Sequence, residues 1–233
     1  MLPRSEYEAL FTPGSLGTIP IDDEIWRMLP VMHDLLSRKP NSRLLDVGAG
    51  VGAFTLLAAV IPSLAVWAFE PNPEVLPYLR QNIAGNGLAD RILISEKAVL
   101  DTPCETWLNL PEGKRQGLAT VGVPAFRSDR RHKVLAVTLD AELLPSFTPD
   151  VIKIDVEGAE LMALRGGEKL IARCAPAIVV EVQDKRTMQL GYKGHRIADL
   201  LTGWGYRWRG IGNYNLLFWK RPEHDPARPE GAC

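Results

Sequence analysis

The chain has 233 residues, 46% of them hydrophobic, and a formal net charge of −1 from 27 Lys and Arg against 28 Asp and Glu. That length suits one domain with a sizeable core, and the balanced charge offers no bulk attraction for nucleic acid. Cys104, Cys174 and Cys233 are scattered without a Cys-x-x-Cys pair, which predicts neither a disulfide framework nor a zinc site and suits the cytoplasm; no membrane span and no signal peptide are expected.

Residues 1–18, with Pro3, Pro13, Gly14 and Gly17, read as irregular. Asp22 and Asp23 then precede Ile25, Trp26, Leu29, Met32, Leu35 and Leu36, the spacing of an amphipathic helix with acids at its start. Pro30 is expected to kink or split it, and its place is beside a ligand pocket.

Leu44-Leu45 reads as a strand that meets Asp46 and then Gly48, Gly50 and Gly52, followed by the apolar run Phe54 to Val60. Strand, tight turn and helix are expected, with glycines that let a ligand approach the main chain. Gly48, Gly50 and Ala53 fit a dinucleotide turn, Gly-x-Gly-x-x-Gly/Ala. An acid two residues before Gly-x-Gly-x-Gly is instead the S-adenosylmethionine pattern. A pyrophosphate would be repelled by Asp46, whereas a carboxylate can hold the ammonium of a methionine by a charge-assisted hydrogen bond.

The second strand, Ala65 to Phe69, ends at Glu70, 22 residues past Gly48, where an acid binds ribose hydroxyls in either ligand class. Pro71-Asn72-Pro73 closes that strand, residues 74–84 form a helix, and Gly85-Asn86-Gly87 ends it. A third strand, 91–95, runs toward Lys97 and Ala98, whose backbone is expected against an adenine edge. Segment 101–133 is the least regular. Residues 105–110 and 117–121 are candidate short strands, and Lys114, Arg115, Arg127, Arg130, Arg131, His132 and Lys133 read as a solvated basic surface.

From Asp150 to Glu160 a buried strand runs into a turn. Lys153, Asp155 and Glu157 alternate, so while the strand lasts they share one side. Parallel strands bind ligands at their carboxyl ends, so Asp155 and Glu157 are expected to face a reaction centre, with Lys153 neutralising or holding Asp155. A helix carrying Leu161, Leu164, Leu170 and Ile171 breaks at Gly166-Gly167, and a strand from Pro176 ends at Glu181, a further acid at that edge. His195 starts a helix closed by Gly203, and Tyr206–Ile211 with Tyr214–Trp219 forms a hairpin around Gly212-Asn213. Alternating strands and helices predict a Rossmann-like α/β doubly wound sheet of seven mostly parallel strands with a C-terminal antiparallel hairpin. The expected organisation is an N-terminal segment and helix over 1–40, a core domain over 41–221 and a tail over 222–233.

Taken together, Leu45 to Gly52, Phe69 to Pro73, Val137 to Asp140, Ile152 to Glu160 and Pro176 to Glu181 resemble the FkbM-type S-adenosylmethionine-dependent methyltransferases. The resemblance covers about residues 41–220 and implies the class I methyltransferase fold. It also implies O-methylation of a hydroxyl on a small molecule of sugar or natural-product type, with S-adenosylhomocysteine as product. On residues and resemblance together, the cofactor positions are Asp46, Gly48, Gly50, Gly52, Phe54, Glu70, Pro71, Asn72, Lys97, Ala98 and Asp155. The catalytic candidates are Asp155, Glu157, Lys153 and Glu181, with His195 weighed as a lone helix-start histidine. No metal ligands are assigned, and a divalent ion held by Asp155 and a nearby acid stays open. The expected partner is a small-molecule hydroxyl acceptor, with neither membrane nor nucleic acid, and a homo-oligomer stays open. The alternatives are an RNA or other macromolecule methyltransferase, a non-catalytic S-adenosylmethionine-binding protein, and an NAD enzyme. Net charge and the Ile-Asp-Val-Glu run, where an Asn-Pro-Pro-Tyr-like motif would sit, disfavour the first. Asp46 and the hairpin disfavour the last.

Overall fold

The computed structural model describes residues 3–11, 21–111, 119–122 and 129–226. The stretch expected to be irregular contains a short helix, α1 (Arg4–Glu8). Its Tyr7 is fully buried against Phe11 and Trp26, with ring centroids 6.1 and 5.8 Å away, and that aromatic burial outweighs a weak local pattern. The next helix, α2 (Asp23–Ser37), is capped by Asp22, whose carboxylate accepts from the Ile25 N–H at 3.0 Å. Pro30 lies inside α2 and does not split it; the helix forfeits one backbone bond there, while buried Met28, Leu29, Met32, Leu35 and Leu36 hold its axis on the sheet.

Strand β1 (Arg43–Val47) leads through the glycine turn to a 3-10 turn (Thr55–Ala59) where an α-helix was expected. β2 (Ala65–Phe69), α3 (Leu76–Gly85) and β3 (Ile92–Ser95) follow. The described residues between 98 and 137 then build a second sheet. It consists of β4 (Ala98–Val99), β5 (Cys104–Asn109), β6 (Thr120–Val121) and β7 (Arg131–Val137), in the order β4-β7-β5-β6. β5 and β6 overlap the candidate strands at 105–110 and 117–121, while β4 and β7 were not expected. Residues 131–133 of the expected basic loop are thus strand. Arg130 pairs with Glu74 at 2.5 Å, Arg131 lies 4.3 Å over the Trp107 ring, and Lys133 pairs with Glu105 at 2.5 Å. Lys114, Arg115, Arg127, Gly117, Leu118, Pro13, Gly14, Gly17, Cys233 and most of the tail lie outside the described residues.

After α4 (Leu139–Glu142) come β8 (Val151–Ile154), α5 (Glu160–Gly166), α6 (Glu168–Cys174) and β9 (Ala177–Glu181). The last elements are α7 (Asp184–Thr187), α8 (His195–Gly203), β10 (Arg207–Ile211) and β11 (Asn215–Trp219). The main sheet has seven strands in the order β10-β11-β9-β8-β1-β2-β3. β1 pairs parallel with β2 and β8, whereas β11 runs antiparallel to both β9 and β10. One reversed strand near the edge of a parallel sheet is the class I methyltransferase arrangement expected from the hairpin. β1, β8 and β9 are buried along almost their whole length, as central parallel strands covered on both faces must be. The hairpin turn reaches back to α2: the Asn213 N–H and side-chain amide donate to Glu24 at 2.9 and 2.6 Å. That contact fixes the helix end carrying Ile25. Among the described residues no helix is long and apolar enough to cross a membrane.

Candidate functional site

β1, β2 and β8 end side by side, and a cavity opens over their carboxyl ends. The chain bends there because the N–H groups of Gly48 and Ala49 both donate to the Phe69 carbonyl at 2.9 Å. Gly48 has φ +81°, and a Cβ built on it would lie 1.8 Å from the Asp155 carbonyl oxygen. Only glycine lets β1 and the end of β8 approach so closely. The rest of the turn is tied from outside. Asn82 donates to the Val51 carbonyl at 2.8 Å and the Tyr7 hydroxyl to the Ala53 carbonyl at 2.5 Å.

Of the positions expected at the cofactor, Gly48, Gly50, Phe54, Glu70, Pro71, Asn72, Lys97, Ala98 and Asp155 line this cavity. The Glu70 carboxylate accepts from the Gly50 N–H at 2.7 Å and the Asn72 N–H at 2.8 Å. Burial pushes it up to about 7 against those two bonds. Lys97 is paired with both oxygens of Glu142 at 2.8 Å. Two expected positions stand elsewhere. Asp46 is fully buried behind the wall, where it accepts from the Thr55 hydroxyl at 2.6 Å and lies 3.6 Å from the Lys153 ammonium. Its charge is balanced within the protein by Lys153, and its Oδ1 has no hydrogen-bond partner among the described residues. Gly52 also stands off the wall; its φ is +102° and a Cβ there would sit 3.0 Å from Leu79, so its part is close packing.

Lys153 explains the break in the apolar β8 run. It is 3% exposed, and its ammonium donates to the Gly48 carbonyl at 2.7 Å. It lies 3.6 Å from both Asp46 and Asp155, and 5.3 Å from the Phe54 ring centroid. Burial opposes its charge, but Asp155, Asp46, Glu181 and Glu70 outweigh that and raise its pKa. Lys153 therefore stays a cation and ties the glycine turn to Asp155.

Asp155, with 29% of its side chain exposed, faces the cavity together with Glu157. The strand ends at Ile154, and Glu157 adopts φ +55°, so simple alternation fails at this position. The bend nonetheless keeps Glu157 in the group: one carboxylate oxygen from each of Asp155, Glu157 and Glu181 lies within 4.8 Å of the others. Glu181, the last residue of β9, joins them from behind the wall. Burial first, then the neighbouring carboxylates, push Glu157 up to about 8 and Glu181 to about 9, as a shared titration.

Several supporting residues carry no signal in the sequence. Arg186 on α7 pairs with Glu157 at 3.1 Å, both side chains being nearly buried. Glu160 accepts from the Gly158 N–H at 2.8 Å, and the Tyr192 hydroxyl donates to the Gly158 carbonyl at 2.6 Å. These clamp the turn after β8. From the second sheet, Leu108, Ala119 and Val121 close the cavity's apolar side, with Ile25 of α2 also on the wall. His195 is not among the residues that line the cavity; it starts α8 and lies 3.9 Å from Asp199. The cavity is apolar toward Leu108, Val121 and Ile25 and acidic toward Asp155 and Glu157, a lining that suits a nucleoside carrying a cationic tail.

Comparison with known proteins agrees with this geometry. The family model "Methyltransferase FkbM domain" matches residues 46–208. A 23S rRNA (uracil(1939)-C(5))-methyltransferase of Shewanella sp. (strain MR-7) is 30% identical over 99 residues, 42% of this chain and 21% of that protein. The chain thus spans about a fifth of the length of that curated relative. Among solved structures, the methyltransferase FkbM from Methylobacillus flagellatus KT superposes with a TM-score of 0.54 at 17% identity, covering 92% of this chain and 58% of that one. An O-methyltransferase family protein from Burkholderia thailandensis gives 0.50 at 16% identity, over 87% and 57% of the two chains. Both likenesses are of fold.

Proposed function

We propose, from the premise that the chain belongs to the methyltransferase FkbM domain family and so to the S-adenosylmethionine-dependent methyltransferases, that it methylates a hydroxyl of a small cytoplasmic molecule of sugar or natural-product type. The observation that carries this reading is Asp155: a carboxylate at the end of a central strand, open to the cavity and held by a buried lysine. S-adenosylmethionine, when bound, supplies an electrophilic methyl group on a positively charged sulfur. The residues present fit it. The Gly48 bend lets the end of β8 close against the glycine turn and brings Asp155 to the cavity, Glu70 and Asn72 line it past β2, where ribose hydroxyls would be held, and Ala98 with Leu108 offers an apolar wall for the adenine.

Asp155 then has two tasks. Its charge stabilises a cation beside it, and its oxygen takes the proton of an acceptor hydroxyl, which is too weak a nucleophile without a base. Lys153 keeps Asp155 in place through the Gly48 carbonyl. The walls position the acceptor oxygen in line with the methyl group, where most of the rate is gained.

The test offers methyl-labelled S-adenosylmethionine with a panel of polyhydroxylated small molecules and, separately, RNA. Label in a small-molecule methyl ether, lowered about 100-fold or more by Asp155→Asn, supports the reading. Label in RNA, with binding that falls steeply with salt, overturns it in favour of the macromolecular alternative, for which the rRNA methyltransferase similarity speaks. The described basic residues Arg130 and Lys133 are paired with acids, which argues against that alternative.

A further inference from the structure

We propose that Asp155, Glu157 and Glu181 form a proton store: the trio sheds one proton when S-adenosylmethionine binds and regains one from the acceptor hydroxyl as the methyl group leaves. Resting on the proposed placement of the sulfur beside Asp155, this assigns the trio a function beyond that of a simple base.

Charge and distance carry the inference. One oxygen from each of the three carboxyl groups lies within 4.8 Å of the others, at a wall where all three residues are partly exposed. Among the described residues two cations serve them. Lys153 of β8 is shared between Asp155 and Asp46, at 3.6 Å from each. Arg186 of α7 touches Glu157 at 3.1 Å. The other acids facing the group bring no relief: Glu160 at the start of α5 accepts from the Gly158 and Val156 N–H groups, and Glu70 after β2 accepts from Gly50 and Asn72. Carboxylates so placed repel one another, so Glu157 and Glu181 between them retain a proton in the ligand-free site. The upward shifts of Glu157 and Glu181 agree with this.

A permanent cation arriving at Asp155 supplies the missing positive charge and expels that proton. In the transfer, the carbon–sulfur bond breaks with its electron pair left on sulfur. The acceptor oxygen bonds the methyl carbon, and the hydroxyl proton moves to the trio. The summed charge of sulfur and trio is therefore the same before and after, and the wall never holds an uncompensated charge. S-adenosylhomocysteine has the same ammonium and carboxylate but a neutral sulfur, so its release requires no proton exchange.

The experiment needs no acceptor. Wild-type protein is titrated calorimetrically with S-adenosylmethionine and with S-adenosylhomocysteine, each in two buffers of different ionisation enthalpy. The expected result is release of about one proton per S-adenosylmethionine and about none per S-adenosylhomocysteine near pH 7. The S-adenosylmethionine Kd should tighten as pH rises, by up to about tenfold per pH unit until the Glu157 and Glu181 titration is passed, while the S-adenosylhomocysteine Kd stays flat. Glu181→Gln should keep S-adenosylhomocysteine binding and lose most of the proton release. Arg186→Met should move the pH dependence alkaline, and Arg186→Lys should restore it. Equal proton counts for the two ligands, or full release in Glu181→Gln, would overturn the proton store while leaving the cofactor assignment standing. Heat on titrating magnesium chloride alone, abolished by Glu181→Gln, would overturn it by making the trio a metal site. If neither adenosyl ligand binds, the cofactor assignment and the proton store fall together.

Discussion

Gly48→Ala is the sharpest perturbation the structure offers. The added Cβ would lie 1.8 Å from the Asp155 carbonyl oxygen, 2.9 Å from its carbon and 3.3 Å from a Val156 methyl. Real Cβ contacts do not fall below 3.0 Å, so the turn and the end of β8 must part by more than an ångström. Neither side is a flexible side chain. The positive φ adds roughly 1–2 kcal/mol for an L-residue, and forced separation of packed backbone adds about 1–3 kcal/mol. A total near 3 kcal/mol corresponds to a melting point lower by roughly 6–12 °C in a chain of this size. The same displacement moves Asp155 off the cavity wall, so S-adenosylhomocysteine binding should fall with stability. Gly87→Ala is the control, since Gly87 also has positive φ, at +65°, but nothing lies within 4 Å of the added carbon. It should cost only the conformational share, about 1–2 kcal/mol, and leave binding intact. Thermal unfolding and calorimetry on both variants decide the matter; a Gly48→Ala protein that melts and binds as Gly87→Ala does would refute the close-approach reasoning.

Lys153→Met leaves Asp46 and Asp155 without their shared cation and should cost about 3–5 kcal/mol in denaturant unfolding, part of it regained by adding Asp46→Asn. Tyr7→Phe removes the hydroxyl that holds the Ala53 carbonyl and should cost about 1–2 kcal/mol; an unchanged melting point would separate α1 from the glycine turn. The ligand-free fold should lose stability as pH rises. Glu70, Glu157 and Glu181 titrate near 7, 8 and 9 when folded, above the ordinary 4.5. The fold therefore keeps protons that the unfolded chain releases, and this contribution, complete below about pH 4.5, is lost as pH passes 7 to 9. Melting points recorded from pH 5 to pH 9 should fall, and less so in Glu181→Gln; a rising or level series would contradict the shifts.

The main sheet was legible because its central strands are buried on both faces and read as plain apolar runs, with acids or glycines at their ends. The reversed edge strand was legible from the Gly212-Asn213 turn. The second sheet was legible only in part: β5 and β6 overlap candidate strands, but β7 is half exposed, and Arg131-His132-Lys133 looks like a charged loop until Val134, Ala136 and their partners are seen packed on Leu108 and Val121. Within the site, the glycine bend, Glu70 and Asp155 followed from motif and strand position. The orientation of Asp46 did not. Sequence shows an acid beside a glycine turn but not which way it faces, and here Lys153 and Thr55 claim it from inside. Arg186 left no trace either, since one basic residue after a strand is common and its pairing with Glu157 depends on a left-handed bend that the residue type does not demand.

A crystal structure with S-adenosylhomocysteine bound tests the account's centre most directly. The ribose should lie by Glu70 and Asn72, the adenine by Ala98 and Leu108, and the sulfur beside the Asp155 carboxylate, with Asp46 still held by Lys153 and Thr55. A sulfur on the Lys97 side of the cavity, or Asp46 turned out to grasp the ligand's ammonium while Asp155 faces away, would contradict it.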